Sequence, residues 1–180
     1  IGWGYQALSR YVLDVSFKTK NDLALAGKLM GFSGYGEPIS PVKKIMKNFM
    51  ETYFIKHDPE IYRQFFDSIG IPSEHIILHN TIGACFAATI QQASEELVLE
   101  FFQKQGVPEK LCLTGGCALN ILINQNFRDL GYNLFIPPNP SDCGLSLGYA
   151  LYGDWLITRQ FRKLKPITYS GICIQDLDNL

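Results

Sequence analysis

The run Leu113-Thr114-Gly115-Gly116-Cys117-Ala118-Leu119-Asn120 puts two adjacent glycines directly after an apolar stretch and directly before a helical pattern. Glycine weakens the interior of a strand or helix, so a pair belongs where the backbone turns sharply or where something comes close to it. With a strand ending at Leu113 and a helix beginning near Cys117, the turn would expose backbone N–H groups at a helix N-terminus. That is a cradle for an anion such as a phosphate. A second junction, Phe135-Ile136-Pro137-Pro138-Asn139-Pro140-Ser141-Asp142-Cys143-Gly144, places Asp142 at the carboxyl end of a strand and the start of a helix. Neighbouring parallel strands point their ends the same way, so Asp142 and the glycine turn would share a cleft. A carboxylate beside a phosphate cradle is an odd pairing without a metal ion or a cationic group between them. The plainer alternatives are a ligand-free turn at the glycines and a simple helix cap at Asp142.

Other chemical signals are weaker. Gly2-Trp3-Gly4-Tyr5-Gln6-Ala7 has the outline of a dinucleotide fingerprint, but no strand precedes it and no acidic ribose partner is evident. No P-loop sequence occurs. His75 and His79 have a spacing that suits a metal on a helix, yet the convincing helical pattern starts only after His79. On an extended segment they would stand roughly 13 Å apart. His57 reads as a loop residue.

The elements that must position these residues follow from periodicity. Gly4–Phe17 and Lys20–Met30 have helical spacing, the second with Asn21 or Asp22 able to cap it. Three glycines and two prolines make 31–41 a loop. Val42–Ile55 and Pro59–Gly70 read as helices. The strongest helical pattern is 80–106, with Ile82, Phe86, Ile90, Ala93, Leu97 and Phe101 on one face, Asn80 or Thr81 at its start and Gly106 at its end. Lys110–Thr114 reads as a short buried strand, Cys117–Gly131 as a helix, Tyr132–Pro138 as a strand, and Ser141–Ile157 as a helix capped by Ser141 or Asp142. Helix, strand, helix, strand, helix implies a parallel α/β sheet.

Bulk properties bound the rest. The chain of 180 residues is 47% hydrophobic and 18% charged, enough for one domain with a core and slightly poor in charge, as if some surface were meant to be covered. A net charge of -1 offers no electrostatic case for nucleic acid or an anionic membrane. Cys85, Cys112, Cys117, Cys143 and Cys173 are odd in number and follow no zinc spacing, which suits buried, reduced thiols in a cytoplasmic protein.

Several segments together resemble the carbamoyltransferases of nodulation-factor and antibiotic biosynthesis. They are Gly27–Gly36 (GKLMGFSGYG), the preceding Ile1–Leu13, the Q-x-x-x-E helix with Gln91 or Gln92 and Glu95 or Glu96, the glycine turn Leu111–Asn120, and the D-x-G segment Ile136–Leu151. The resemblance covers nearly the whole chain in one order. It implies an α/β fold: an RNase H-like lobe of the actin-like ATPase fold of sugar kinases and heat-shock proteins, related to the enzymes that form threonylcarbamoyladenosine in tRNA. Residues 1–180 are then one domain, the C-terminal lobe of a carbamoyltransferase N-terminal domain and a fragment of a longer, two-lobed protein.

The resemblance further implies transfer of a carbamoyl group from carbamoyl phosphate, through a carbamoyl-adenylate made with ATP, to a hydroxyl of a small-molecule acceptor. Carried over by position, Gly115 and Gly116 face the nucleotide phosphate; Asn120, one helical turn in, with Lys28 and Gly31, holds the nucleoside; and Asp142 binds a divalent metal, iron or magnesium. No residue is assigned as catalytic. The implied partners are the first lobe and the adenylate-forming domain of the same chain, with a homodimer as the assembly, and the isolated fragment is expected to be inactive. Departures from the family pattern are Cys117 for valine, Cys143 for alanine and Phe32-Ser33 for Leu-Ala. The competing reading is a non-catalytic nucleotide-binding module of the same fold.

Overall fold

A computed structural model describes residues 1–13, 23–52, 68, 81–106 and 110–161. The expected helix Pro59–Gly70, apart from Ser68, lies outside the described residues, as do His57, His75, His79 and the caps Asn21, Asp22 and Asn80. The chain divides into two compact units, Ile1–Leu111 with Asn120–Leu134, and Cys112–Leu119 with Phe135–Leu180.

The first unit is helical. Helices α1 (Gly2–Val12), α2 (Leu23–Phe32) and α3 (Ser40–Thr52) surround α4 (Thr81–Gln105), which also carries α5 (Ile121–Asp129). Their apolar faces meet in a core built on Leu8, Val12, Leu29, Met46, Met50 and Ile90, all nearly or wholly excluded from solvent. The expected stripe on α4 is buried at Phe86, Ile90, Ala93 and Leu97, while its ends, Ile82 and Phe101, are exposed. The hydroxyls of Ser9, Thr89 and Ser94 in this core each donate to a backbone carbonyl one turn back. Ser9 Oγ donates to the Tyr5 carbonyl, and Thr89 Oγ1 donates to the Cys85 carbonyl while accepting from Ile39 N. Phe127 of α5 is wholly buried, with edge-on contacts to Phe102 and Tyr132.

The stretch 31–41, expected as a loop, is mostly helical. α2 runs on through Phe32, a 3-10 turn covers Ser33–Tyr35, and α3 begins at Ser40 with Pro41 in its first turn, where a missing N–H costs nothing. The glycine that this segment needs is Gly36. A Cβ there would lie 2.1 Å from the Ala84 carbonyl carbon, so the backbone reaches α4 only without a side chain. Gly36→Ala is expected to cost about 2 kcal/mol or more, because backbone rather than a flexible side chain would have to move. A urea midpoint unchanged from wild type would refute this.

The second half follows the expected order. Strands β1 (Lys110–Cys112) and β2 (Asn133–Phe135) pair in a two-stranded parallel sheet connected through α5, and α6 (Leu145–Thr158) follows. Both strands were expected to be longer, and the first to be buried. Each is three residues long, half-buried only at its centre, since a two-stranded sheet leaves open edges. The helix expected from Cys117 starts only at Ile121, because the intervening Gly116–Leu119 forms a 3-10 turn and Asn120 is extended. In the second unit, Leu113 N donates to the Phe135 carbonyl. Helix α6 has Asp154 as its sole charged residue, and none of its side chains is buried. Trp155 stacks between Tyr152 and Phe161, with the Arg159 guanidinium over its ring. Among the described residues no helix is long and apolar enough to cross a membrane.

Candidate functional site

The second unit brings the two junctions together. Gly115 N donates to the carbonyl of Pro140, two residues before Asp142. This bond separates the roles of the paired glycines. Gly115 has φ +87°, a conformation other residues rarely adopt, and its N–H is already used, so it shapes the turn rather than offering a donor to an anion. Gly116 has no such constraint: its φ lies outside the left-handed region, and a Cβ there would meet nothing within 4 Å. The N–H groups of Gly116 and Cys117 have no hydrogen-bond partner among the described residues. Backbone geometry therefore explains the first glycine, whereas neither φ nor packing against the described residues requires the second.

Asp142 opens a 3-10 turn, Asp142–Gly144, that leads into α6. The N-cap of that turn is Ser141 and that of α6 is Gly144; neither makes a side-chain cap bond. The Asp142 carboxylate is exposed and makes no hydrogen bond or ion pair with any described residue. Capping thus does not account for it. Gly144 is needed for packing, since a Cβ would lie 2.0 Å from the Asn139 carbonyl oxygen. Flanking Cys143, like Cys112 and Cys117, is exposed, and Cys85 is half-buried. The expectation of buried thiols fails here because three of these cysteines sit in the short turns and open-edged strand of the second unit. No group of three or more His, Cys, Asp or Glu suited to a metal occurs among the described residues, so Asp142 offers one oxygen ligand and not a complete site.

The remaining expected residues belong to the first unit. Lys28 and Gly31 lie on an exposed face of α2, and a Cβ at Gly31 would meet nothing within 4 Å. Asn120 is not one turn into a helix but is the N-cap of α5, where its Oδ1 accepts from Ile123 N at 3.2 Å. The same side chain pairs with Gln91, which sequence reasoning left undivided from Gln92. Gln91 Nε2 donates to Asn120 Oδ1 and Asn120 Nδ2 donates back to Gln91 Oε1, each at 3.0 Å. Gln91 also accepts from the Tyr5 hydroxyl and donates to Glu95, both at 2.8 Å, and Asn126 Nδ2 donates to the other Glu95 oxygen. Burial, with the neighbouring Glu95 charge, pushes the Tyr5 phenol well above its ordinary pKa, so it stays a donor. Spacing along the helix does not single out Gln91, because Gln92 stands equally four and three residues after the buried Ala88 and Thr89.

Gln92 and Glu96 point elsewhere. Lys43 Nζ contacts Gln92 and Glu96, and Lys47 reaches Glu96 and Glu100. Burial works against the charged form of both Lys47 and Glu96. Hydrogen bonds and charge from Glu100 and Glu96 outweigh it and raise Lys47, and those from Lys43 and Lys47 outweigh it and lower Glu96, from their ordinary values. The shallow cleft beside them has two of its three lysines committed to these pairs, which leaves it poorly suited to an anion.

The sequence matches the family described as Carbamoyltransferase N-terminus over residues 1–151. The chain belongs to that family. Similar proteins include Nodulation protein U of Rhizobium tropici, 25% identical over 199 residues covering 99% of this chain and 34% of that protein. Nodulation protein U of Bradyrhizobium diazoefficiens is 24% identical over 176 residues, covering 86% of this chain and 31% of that protein. An uncharacterized Synechocystis protein is 31% identical over 146 residues, covering 69% of this chain and 23% of that protein. The chain spans about a third of the length of the two Nodulation protein U relatives. No solved structure matches. The glycine turn, Asn120, Gln91 and Asp142 all fall inside the stretch that defines this carbamoyltransferase family.

Proposed function

We propose that this chain is part of an O-carbamoyltransferase, one lobe of an actin-like ATPase fold. The observation that carries the reading is the family match over residues 1–151. In the proposed reaction, water cleaves carbamoyl phosphate to carbamate and phosphate, and a carbamate oxygen attacks the α-phosphorus of ATP, forming the carbamoyl-adenylate as the bond to pyrophosphate breaks and pyrophosphate departs. An alcohol oxygen of a small-molecule acceptor attacks the carbamoyl carbon, the bond from that carbon to the AMP phosphate oxygen breaks, the alcohol proton is lost, and AMP departs. The site residues have separate tasks in this reading. Gly115 holds the turn, and Gly116 and Cys117 offer backbone N–H groups to a phosphate. Lys28 and Gly31 serve the nucleoside, and Asn120 contacts it.

A divalent metal, iron or magnesium, would polarise the carbamoyl carbonyl. Asp142 fits as one ligand, an exposed carboxylate with no hydrogen bond to any described residue. Further ligands would have to come from outside the described residues. The full protein, assembled with a first lobe and an adenylate-forming domain, is the reactive species, and a cytoplasmic homodimer is its proposed state.

The test is to incubate the full-length protein with carbamoyl phosphate, ATP and a panel of hydroxylated small molecules, and to follow AMP release together with the mass of the acceptor. ATP-dependent appearance of an acceptor heavier by one carbamoyl group is expected. Nucleotide binding with no AMP release for any acceptor would favour the non-catalytic module instead.

A further inference from the structure

We infer that Gln91 is a positioning residue that makes Asn120 a hydrogen-bond donor, and never an acceptor, toward a bound nucleotide. The inference rests on the reading of Asn120 as a nucleotide contact and adds the polarity of that contact and the residue that sets it.

The argument is one of saturated valences. A side-chain amide has two N–H donors and two acceptor lone pairs. Gln91 is 3% exposed, and all four of its positions are used: Nε2 donates to Glu95 and Asn120, and Oε1 accepts from Tyr5 and Asn120. Its orientation does not depend on an arbitrary choice of amide flip. The Glu95 carboxylate only accepts, so the amide nitrogen must face it, and the Tyr5 hydroxyl then meets the oxygen. Asn120 inherits the complementary orientation. The cap requires the same one, because a backbone N–H at Ile123 needs an oxygen. Two independent constraints therefore agree.

What remains of Asn120 follows by subtraction. Its Oδ1 accepts twice, from Gln91 and from Ile123, and is full. Its Nδ2 donates once among the described residues, to Gln91, and keeps one N–H. The ligand atom opposite it is thus an acceptor: a ribose or phosphate oxygen or an unprotonated ring nitrogen, and not an exocyclic amine. Tyr5 of α1 and Asn126 of α5 complete the arrangement by holding Gln91 and Glu95 from either side. Asn120 is half-buried, so the remaining N–H sits at the margin of the core rather than inside it.

The experiment measures adenine-nucleotide affinity of the folded full-length protein by calorimetry, with a melting curve for each variant. Asn120→Asp keeps an oxygen for the Ile123 cap and for Gln91 Nε2 but has no N–H. Gln91→Met keeps the length of the side chain and removes its polarity. Each is expected to weaken nucleotide binding by at least about tenfold. The double variant is expected to bind no worse than Asn120→Asp alone, because Gln91 acts through Asn120. A lowered melting temperature for Gln91→Met with unchanged affinity would show a purely structural hub and overturn the inference. Should Gln91→Met fail to fold, Asn120→Asp decides alone, and unchanged affinity in it has the same consequence. Absence of nucleotide binding by the wild type would instead overturn the functional reading, and this inference with it.

Discussion

Gly116→Val in the full-length protein is expected to weaken adenine-nucleotide binding by at least about tenfold, equivalent to about 1.4 kcal/mol, with little loss of stability. The two glycines make the comparison internal. At Gly115 the backbone is in the left-handed region, φ +87°, where a side chain costs about 1–2 kcal/mol whatever else is bound. Gly115→Val should therefore lower the melting temperature first and affinity as a consequence. At Gly116 the backbone is unconstrained and the space a Cβ would take is open, so valine should change stability by less than about 1 kcal/mol. Its branched side chain would stand where a phosphate has to approach Gly116 N and Cys117 N. Calorimetric titration beside a melting curve separates the effects. Affinity equal to wild type in a Gly116→Val protein that melts normally would mean that nothing approaches this glycine, and the cradle reading would end there.

The order of elements in the second half was legible because its signals are local. Apolar runs stop at Gly106, Gly131 and Pro137, and the helical stripe of α4 is long enough to outweigh ambiguity. The helical character of 31–41 was not legible. Three glycines and two prolines argue for a loop by propensity, yet Gly31 tolerates a helix end, Pro41 occupies a first turn, and Gly36 is there for contact with Ala84, a residue nearly fifty positions away. Propensity has no access to such a contact. The start of α5 illustrates the same limit at shorter range. Cys117-Ala118-Leu119 has a helical pattern, but Asn120 uses its carboxamide as a cap and breaks the run. Asparagine at that position carries the information, and only its pairing with Gln91 reveals it.

The candidate site was legible in its residue types and not in its division of labour. Both junctions could be picked out by glycines and an aspartate at strand ends. Which glycine bends the chain, and which leaves room, depends on a φ angle and on the Pro140 carbonyl. Likewise, Gln91 and Gln92 are adjacent and chemically identical in sequence. Helical geometry sends one into a buried amide pair and the other toward Lys43. The Q-x-x-x-E pattern is doubled along α4, and the inner copy, Gln91 with Glu95, is the one that reaches Asn120.

Asp142→Asn is expected to leave stability within about 0.5 kcal/mol while removing bound metal from the full-length protein and lowering carbamoyl transfer by orders of magnitude. The stability half of this follows from the geometry. A capping aspartate would accept hydrogen bonds from backbone N–H groups through its carboxylate oxygen, and its loss would cost about 1 kcal/mol. Asp142 makes no such bond among the described residues, so neither Asp142→Asn nor Asp142→Ala should move the melting temperature appreciably. The chemical half follows from charge. Asparagine keeps the shape and a neutral oxygen but gives up the anionic ligand that a hard divalent cation selects. In the 180-residue chain alone, metal binding should be weak, because the described residues bring no second and third ligand to Asp142. Elemental analysis of full-length wild type and Asp142→Asn, purified side by side, separates the alternatives. Metal lost from the variant with an unchanged melting curve supports ligation, whereas equal metal in both ends the ligand claim and leaves Asp142 an exposed carboxylate whose function lies elsewhere.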